Sequence, residues 1–261
     1  MRWRIVLVKF LVKVGIFLQE LSVFILKPKD LIEYGRNSYA KPSHIRGWTS
    51  ADQVDLGLFP NEVHLHAALP RKNGKMLLLG LGGGREAIFF SKSGFKVTGV
   101  DFVKEMVDRA TDNARQRNIQ IHGVVQEISK LDFPPCCFDV VWYSSSIYSA
   151  TPGRKARIET LRRVGEMIAP NGYIACLFYW SPAFGQHGLK WAAGKFISWI
   201  LLGNFKCEKG DFMKNNLEFL HAFSSKDEVS AEFAEAGLEA VTFVFPKDSN
   251  HAGAVLRKKG S

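Results

Sequence analysis

Residues 77–87 read Leu-Leu-Leu-Gly-Leu-Gly-Gly-Gly-Arg-Glu-Ala. An apolar run ends in five positions that hold four glycines, and a polar step then leads into a helical pattern. We read these glycines as serving a ligand rather than packing, because bare backbone N–H groups at the carboxyl edge of a sheet suit a nucleotide-like molecule. The spacing narrows the choice. No Gly-Lys-Ser or Gly-Lys-Thr follows, which excludes a P-loop. The dinucleotide fingerprint G-x-G-x-x-G fails too, since its third glycine, counted from Gly80 and Gly82, falls on Arg85. G-x-G-x-G fits, as Gly80, Gly82 and Gly84.

Outward from this loop, short apolar runs alternate with helical patterns, the arrangement of a parallel sheet joined by crossover helices. We expect strands near 75–80, 96–101, 120–125, 138–143 and 172–179, and helices near 85–92, 103–117 and 154–168. Asn171 and Gly172 after Pro170 mark the turn into the fifth strand. A helix over 225–236 follows a serine cap and an acidic first turn. The closing runs, 238–245 and 252–257, are separated only by 246–251, too few residues for a crossover helix, so they should be antiparallel to each other. Two segments stand outside this rhythm: 1–73, with an apolar N-terminal helix and a polar, aromatic stretch, and an insertion over 181–220. The expected organisation is an N-terminal anchor or lid (1–73) and a second domain (74–261) carrying the insertion, which should shape a substrate pocket.

In unbroken order, LLLGLGGGREAIFFSKSGFKVTGVDF, VVQEISKLDF, FDVVWYSSSIYSA and LRRVGEMIAPNGYIACLFY resemble class I S-adenosylmethionine-dependent methyltransferases over about residues 75–179. The resemblance implies a three-layer αβα Rossmann-like fold: a mostly parallel seven-stranded sheet with an antiparallel last strand, here with an N-terminal helical segment. It implies S-adenosyl-L-methionine as cofactor, bound by Gly80, Gly82 and Gly84. Asp101 would accept hydrogen bonds from the ribose hydroxyls, Phe102 would follow it in the pocket, and Glu127 and Ile128 would meet the adenine. Ser144 to Ser146 and Tyr148 would lie on the loop facing the methyl group. The chain departs from the family where many members carry an acid two positions before the first glycine, at Leu78. Glu86 is a substitute for that contact with the methionine ammonium; the alternative is a helix-terminal acid stabilised by the macrodipole. Tyr148 and His221 are the catalytic candidates for a general base, ahead of His187, Tyr34, Tyr39 and His44. Asp139 is left outside the site.

Composition bears on partners. Lys and Arg number 35 against 25 Asp and Glu, a formal charge of +10 that suits an anionic partner, nucleic acid or membrane. The four cysteines show no C-x-x-C spacing, so a reduced, cytoplasmic setting and no metal are expected. Lys9 and Lys13 interrupt the apolar N-terminal run and no A-x-A site follows, so we read a retained segment rather than a signal peptide. With Arg2, Trp3 and Arg4 at its start it has the character of an interfacial anchor, and LKWAAGKFISWILLGNFK repeats that composition. An anionic membrane surface is therefore a candidate partner, with peripheral attachment to the inner face; packing as lid and pocket wall is the alternative.

The sequence lacks the Asn/Asp-Pro-Pro-aromatic motif of nucleobase amino methyltransferases after the fourth strand, and Pro135-Cys136 precedes that strand, the wrong place for a cytosine-methylating nucleophile. A nucleic-acid partner is thus disfavoured. The expected activity is methyl transfer to nitrogen, oxygen or sulfur of a small, hydrophobic or lipid-like acceptor. RNA or protein methylation is one alternative. A non-catalytic adenosylmethionine-binding or membrane-associated scaffold is another.

Overall fold

The structure is a computed structural model that describes residues 2–144, 146–182, 188–215, 218–245 and 249–260. Ser145, His187 and part of the 246–251 turn lie outside the described residues.

The sheet forms where the sequence alternation places it. Strands β1 (Gly74–Leu79), β2 (Phe95–Asp101), β3 (His122–Val125), β4 (Phe138–Tyr143), β5 (Ile168–Tyr179), β8 (Leu238–Val244) and β9 (His251–Lys258) make one seven-stranded sheet in the order β3-β2-β1-β4-β5-β9-β8. Only β9 runs against its neighbours, pairing antiparallel with both β5 and β8. Buried runs explain why the central strands are apolar on both faces: Met76 to Leu79 and Val140 to Tyr143 are all buried. Helices α6 (Arg85–Lys92), α7 (Lys104–Gln116), α8 (Arg154–Met167) and α10 (Lys226–Glu235) flank the sheet. Leu77, Leu79 and Val141 pack into one core with α8 and α10 residues such as Leu161 and Phe233. Met76, Leu78 and Val140 pack into a second with Phe90 of α6 and Leu65.

One boundary differs from expectation. Strand β5 begins at Ile168, because Ile168 pairs with Phe138 before the register shifts, and Asn171 sits at φ 61° inside the strand. The Pro-Asn-Gly signal therefore marks a bulge rather than a turn before the strand. A Cβ on Gly172 would lie 2.9 Å from the Ala169 carbonyl oxygen, which is why glycine follows.

The N-terminal segment folds into five helices: α1 (Arg2–Ile25), α2 (Pro28–Tyr39), α3 (Pro42–Thr49), α4 (Ala51–Val54) and α5 (Pro60–Ala68). Proline opens α2, α3 and α5, where its missing N–H costs nothing. Asp30 and Glu62 then accept hydrogen bonds from the Lys27 and Phe59 N–H groups. The described part of the insertion holds α9 (Gly188–Ile200) and a hairpin of β6 (Asp211–Lys214) and β7 (Glu218–His221). Among the described residues no helix is long and apolar enough to cross a membrane.

Candidate functional site

A cavity of about 200 Å³ opens at the carboxyl ends of β1, β2 and β4. Its floor is the glycine loop. The Gly80 and Leu81 N–H groups both donate to the Val100 carbonyl (2.9 Å each), so the chain turns off β1 while still held to β2. Gly80, Gly82 and Gly84 all have positive φ (89°, 52° and 93°), a region that disfavours side chains. They differ in surroundings. Nothing would obstruct a Cβ on Gly82, which lines the cavity, whereas Gly84 backs onto Ala110 at 3.2 Å and caps α6.

Gly83 corrects the expectation that no glycine here serves packing. A Cβ there would lie 2.1 Å from the Trp48 carbonyl oxygen. The loop is pressed against the end of α3, and Asn113 of α7 fastens the two by donating to the carbonyls of Gly83 (3.0 Å) and Thr49 (3.2 Å).

Asp101, at the end of β2, accepts from the N–H groups of Gly82 and Val103, both at 3.0 Å. Burial raises its pKa, and the backbone donors oppose that shift. Asp101 and Phe102 both line the cavity. Glu86 and Ser144 line the other side. Burial, then the nearby Glu62 charge, raise the Glu86 carboxyl to about 7, with Arg85 opposing. Arg85 is claimed mainly elsewhere: its Nη1 and Nη2 donate to the two Glu62 oxygens (2.6 and 2.8 Å), and Nη2 lies 3.2 Å from Glu86. Leu78 is fully buried in the core.

A second cavity shares Tyr39, Phe102, Ile147 and Glu218 with the first and adds Glu127 and Ile128. Burial raises the Glu127 carboxyl, but it is paired with Arg36 of α2 and with Lys130 (3.3 Å), whose hydrogen bonds and charges together outweigh burial and lower its pKa. The glycine loop, Glu86, Asp101, Phe102, Glu127, Ile128 and Ser144 are thus brought to one connected region. A further cavity of about 230 Å³ lies away from it, between α1, Trp191 and β6.

The two catalytic candidates lie elsewhere. Tyr148 is 1% exposed, its hydroxyl donates to Glu232, and its ring stacks on Phe223. The loop after β4 turns its side chain into the core, where burial raises its pKa far above the phenol range. His221 is fully buried, with Nδ1 2.8 Å from Asp211 Oδ1 and Nε2 3.4 Å from Glu228. Burial lowers its pKa, but these carboxylates outweigh it and the net shift is upward. It fastens β7 to β6 and α10. Asp139 is structural, accepting from the Lys75 N–H at 2.8 Å and pairing with Arg71. His44 lies against the Ser38 carbonyl.

Other groups reach the cavity instead. Tyr39 donates to Glu218 at 2.6 Å, and Lys214 lies beside them. Ser146, on the wall near Ile147, is 2.9 Å from His251 Nε2. Burial, then the Lys214 charge, lower the His251 pKa to about 4, so its ring is neutral at pH 7. Glu62, Glu218 and His251 were absent from the expectations. Only Glu62 had a readable signal, Phe-Pro-Asn-Glu, a proline-opened helix with an acid at its third position.

The arrangement can receive a nucleoside on a bare backbone loop, with a carboxylate at ribose position and another for an ammonium. Glycine-loop geometry and the acid ending β2 fit S-adenosylmethionine. The family model described as methyltransferase domain matches residues 76–172. The chain is similar to 27-O-demethylrifamycin SV methyltransferase of Amycolatopsis mediterranei, 29% identical over 42% of this chain and 41% of that one. It is also similar to demethylmenaquinone methyltransferase of Thermus thermophilus, 26% identical over 67% and 81%. The match thus spans about two fifths of the first relative's length. A solved methyltransferase from Methanosarcina mazei shares the fold, with TM-score 0.57 and 19% identity over 78% of this chain and 99% of that one. The sheet order, the glycine loop and the matched span agree: residues 76–172 carry a methyltransferase domain on the class I fold, a domain whose cofactor is S-adenosylmethionine.

Proposed function

We propose that the chain transfers a methyl group to nitrogen, oxygen or sulfur of a small, apolar acceptor. The observation that carries this reading is the apolar lining of the cavity: Tyr39, Trp48 and Phe59 of its roof, with Met106 and Ile147 on its walls, enclose the space by the glycine loop with aromatic and aliphatic surface. The two relatives are named for small-molecule acceptors, a rifamycin and a menaquinone precursor. In this reading the chain works in the cytoplasm, peripheral to a membrane that dissolves its acceptor.

The cofactor supplies an electrophilic methyl group, so the protein's work is alignment and exclusion of water. Gly80 and Gly82 let the backbone approach the cofactor, and Gly84 starts α6 beneath it. Asp101 accepts from the ribose hydroxyls, Phe102 and Ile128 flank the adenine, and Glu127 receives its amino group once Arg36 gives way. Ionised Glu86, with Ser144, holds the methionine ammonium in place of the acid absent at Leu78. For a protonated acceptor, neutral His251 takes the proton through Ser146; the Tyr39–Glu218 pair lies across the same cavity and orients the acceptor. Tyr148 and His221 hold the surrounding structure.

Incubation with methyl-labelled S-adenosylmethionine and a cell extract tests the reading. Label should enter the organic-soluble fraction. Label confined to RNA or protein would favour those acceptors instead, and cofactor binding without any transfer would favour a scaffold.

A further inference from the structure

Exposed apolar side chains should be scattered on a chain that meets only water. Here they concentrate. Of 26 large hydrophobic residues exposed among the described residues, 18 lie on α1 or within residues 196–205. These two segments are one unit. Asn204 donates its Nδ2 and backbone N–H to the carbonyls of Val23 (2.9 Å) and Phe24 (2.7 Å) at the end of α1. Gly194 and Gly203 admit that end, since a Cβ on either would approach Phe24 within 2.4 Å.

The junction leaves the rest of α1 uncovered. Ile5, Val6, Leu7 and Val8 are consecutive and 47–66% exposed, as are Phe10, Leu11 and Val12 at 55–61%. Consecutive positions point around the helix, so its apolar surface faces all sides. A folded partner covers one narrow stripe; the interfacial layer of a bilayer takes a broader apolar surface while leaving Lys9 and Lys13 at the headgroups. On α9, Gly194 and Ser198 are buried while Phe196, Trp199 and Ile200 face outward.

Charge selects the medium. Residues 2–19 contain Arg2, Arg4, Lys9 and Lys13 and no acid, and residues 188–207 contain Lys190, Lys195 and Lys206 and no acid. A second copy would set these like charges against each other. Lys9 and Lys13 are exposed, and Lys195 lies over the Trp191 ring at 5.1 Å, which suits cations resting at a headgroup layer above buried aromatic rings.

We propose that α1 and residues 188–207 form a single docking surface for an anionic bilayer, with both helices lying in its interface. The inference deepens the peripheral location proposed above, and rests on that reading only for the acceptor. Flotation of the full chain with phosphatidylcholine vesicles, with and without about one third phosphatidylglycerol, tests it. We expect about tenfold more protein to float with the anionic vesicles, an excess abolished by combined Lys9→Glu, Lys13→Glu and Lys206→Glu. The exposed pair Phe10→Ser and Trp199→Ser should reduce flotation on anionic vesicles about tenfold, with calorimetric binding of S-adenosylmethionine unchanged as the check of folding. Equal flotation on both vesicle types, or none on either, would overturn the proposal. So would a dimer in vesicle-free solution that Phe10→Ser and Trp199→Ser convert to monomer. A chain that floats with anionic vesicles but transfers no methyl group would uphold the docking surface and defeat the catalytic reading alone.

Discussion

The floor and the roof of the cofactor cavity are held by different forces. The floor is fixed by backbone groups: Gly80 and Leu81 on Val100, Ser144 on Leu79, and Gln126 on Asp101. The roof, made by α2 to α5 and the β6–β7 hairpin, is fastened largely by side chains. Arg85 grips Glu62, Arg117 grips Asp55 with two bonds, Asn113 holds Thr49, and Tyr39 meets Glu218. A floor built from backbone and glycine admits few substitutions in the loop itself, whereas a side-chain-built roof is rewritten by exchanging its paired side chains. The difference suits a fold that keeps one cofactor and varies its acceptor.

The comparison can be broken first where the insertion joins the core. Arg157 of α8 is fully buried and bonds both Glu232 of α10 (2.6 Å) and Glu208 of the insertion (2.8 Å). Arg157→Met strands two carboxylates and should cost about 3–5 kcal/mol in chemical denaturation. Asp101→Ala attacks the floor: two charge-assisted bonds to the ribose are lost, and calorimetry should show about a hundredfold weaker cofactor binding with the fold retained. Gly83→Ala drives a methyl group against the α3 backbone, costing about 1–3 kcal/mol and weakening cofactor binding through displacement of the roof.

A pH experiment separates the two ends of the cofactor. Because burial raises the Glu86 carboxyl to about 7, the group is largely protonated below that pH and cannot attract an ammonium. Cofactor affinity should rise by up to about eightfold between roughly pH 6 and 7.5, and Glu86→Gln should flatten that rise. The smallest effect is expected at Arg36→Ala. Its pair with Glu127 is exposed, so stability should change by less than about 1 kcal/mol.

Floor and roof also differed in how legible they were. Helix α6 and strand β4 fall at the residues expected, 85–92 and 138–143, because a continuous buried run and a glycine-bounded helix leave one register. The residues expected around the cofactor come together because strand ends are adjacent by topology. The roof depends on contacts between distant segments. Tyr39 meets Glu218 across 179 positions, and Ser146 meets His251 across 105. Neither pair has a periodicity or spacing to announce it. Tyr148 shows the same limit at short range: its place in the loop after β4 was readable, but the inward turn of its side chain is set by Glu232 and Phe223, brought there by α10.

The divided loyalty of Arg85 reaches beyond local geometry. Glu62, which precedes the matched span, takes both guanidinium arms and leaves Glu86 only a longer contact. A fragment beginning at residue 74 would keep every residue of the glycine loop yet free Arg85 to neutralise Glu86, and so would present the methionine ammonium with a cancelled charge. The span matched by the family model is therefore smaller than the unit that fixes Arg85, and a shortened chain that begins before α5 should bind the cofactor more tightly than one that begins after it.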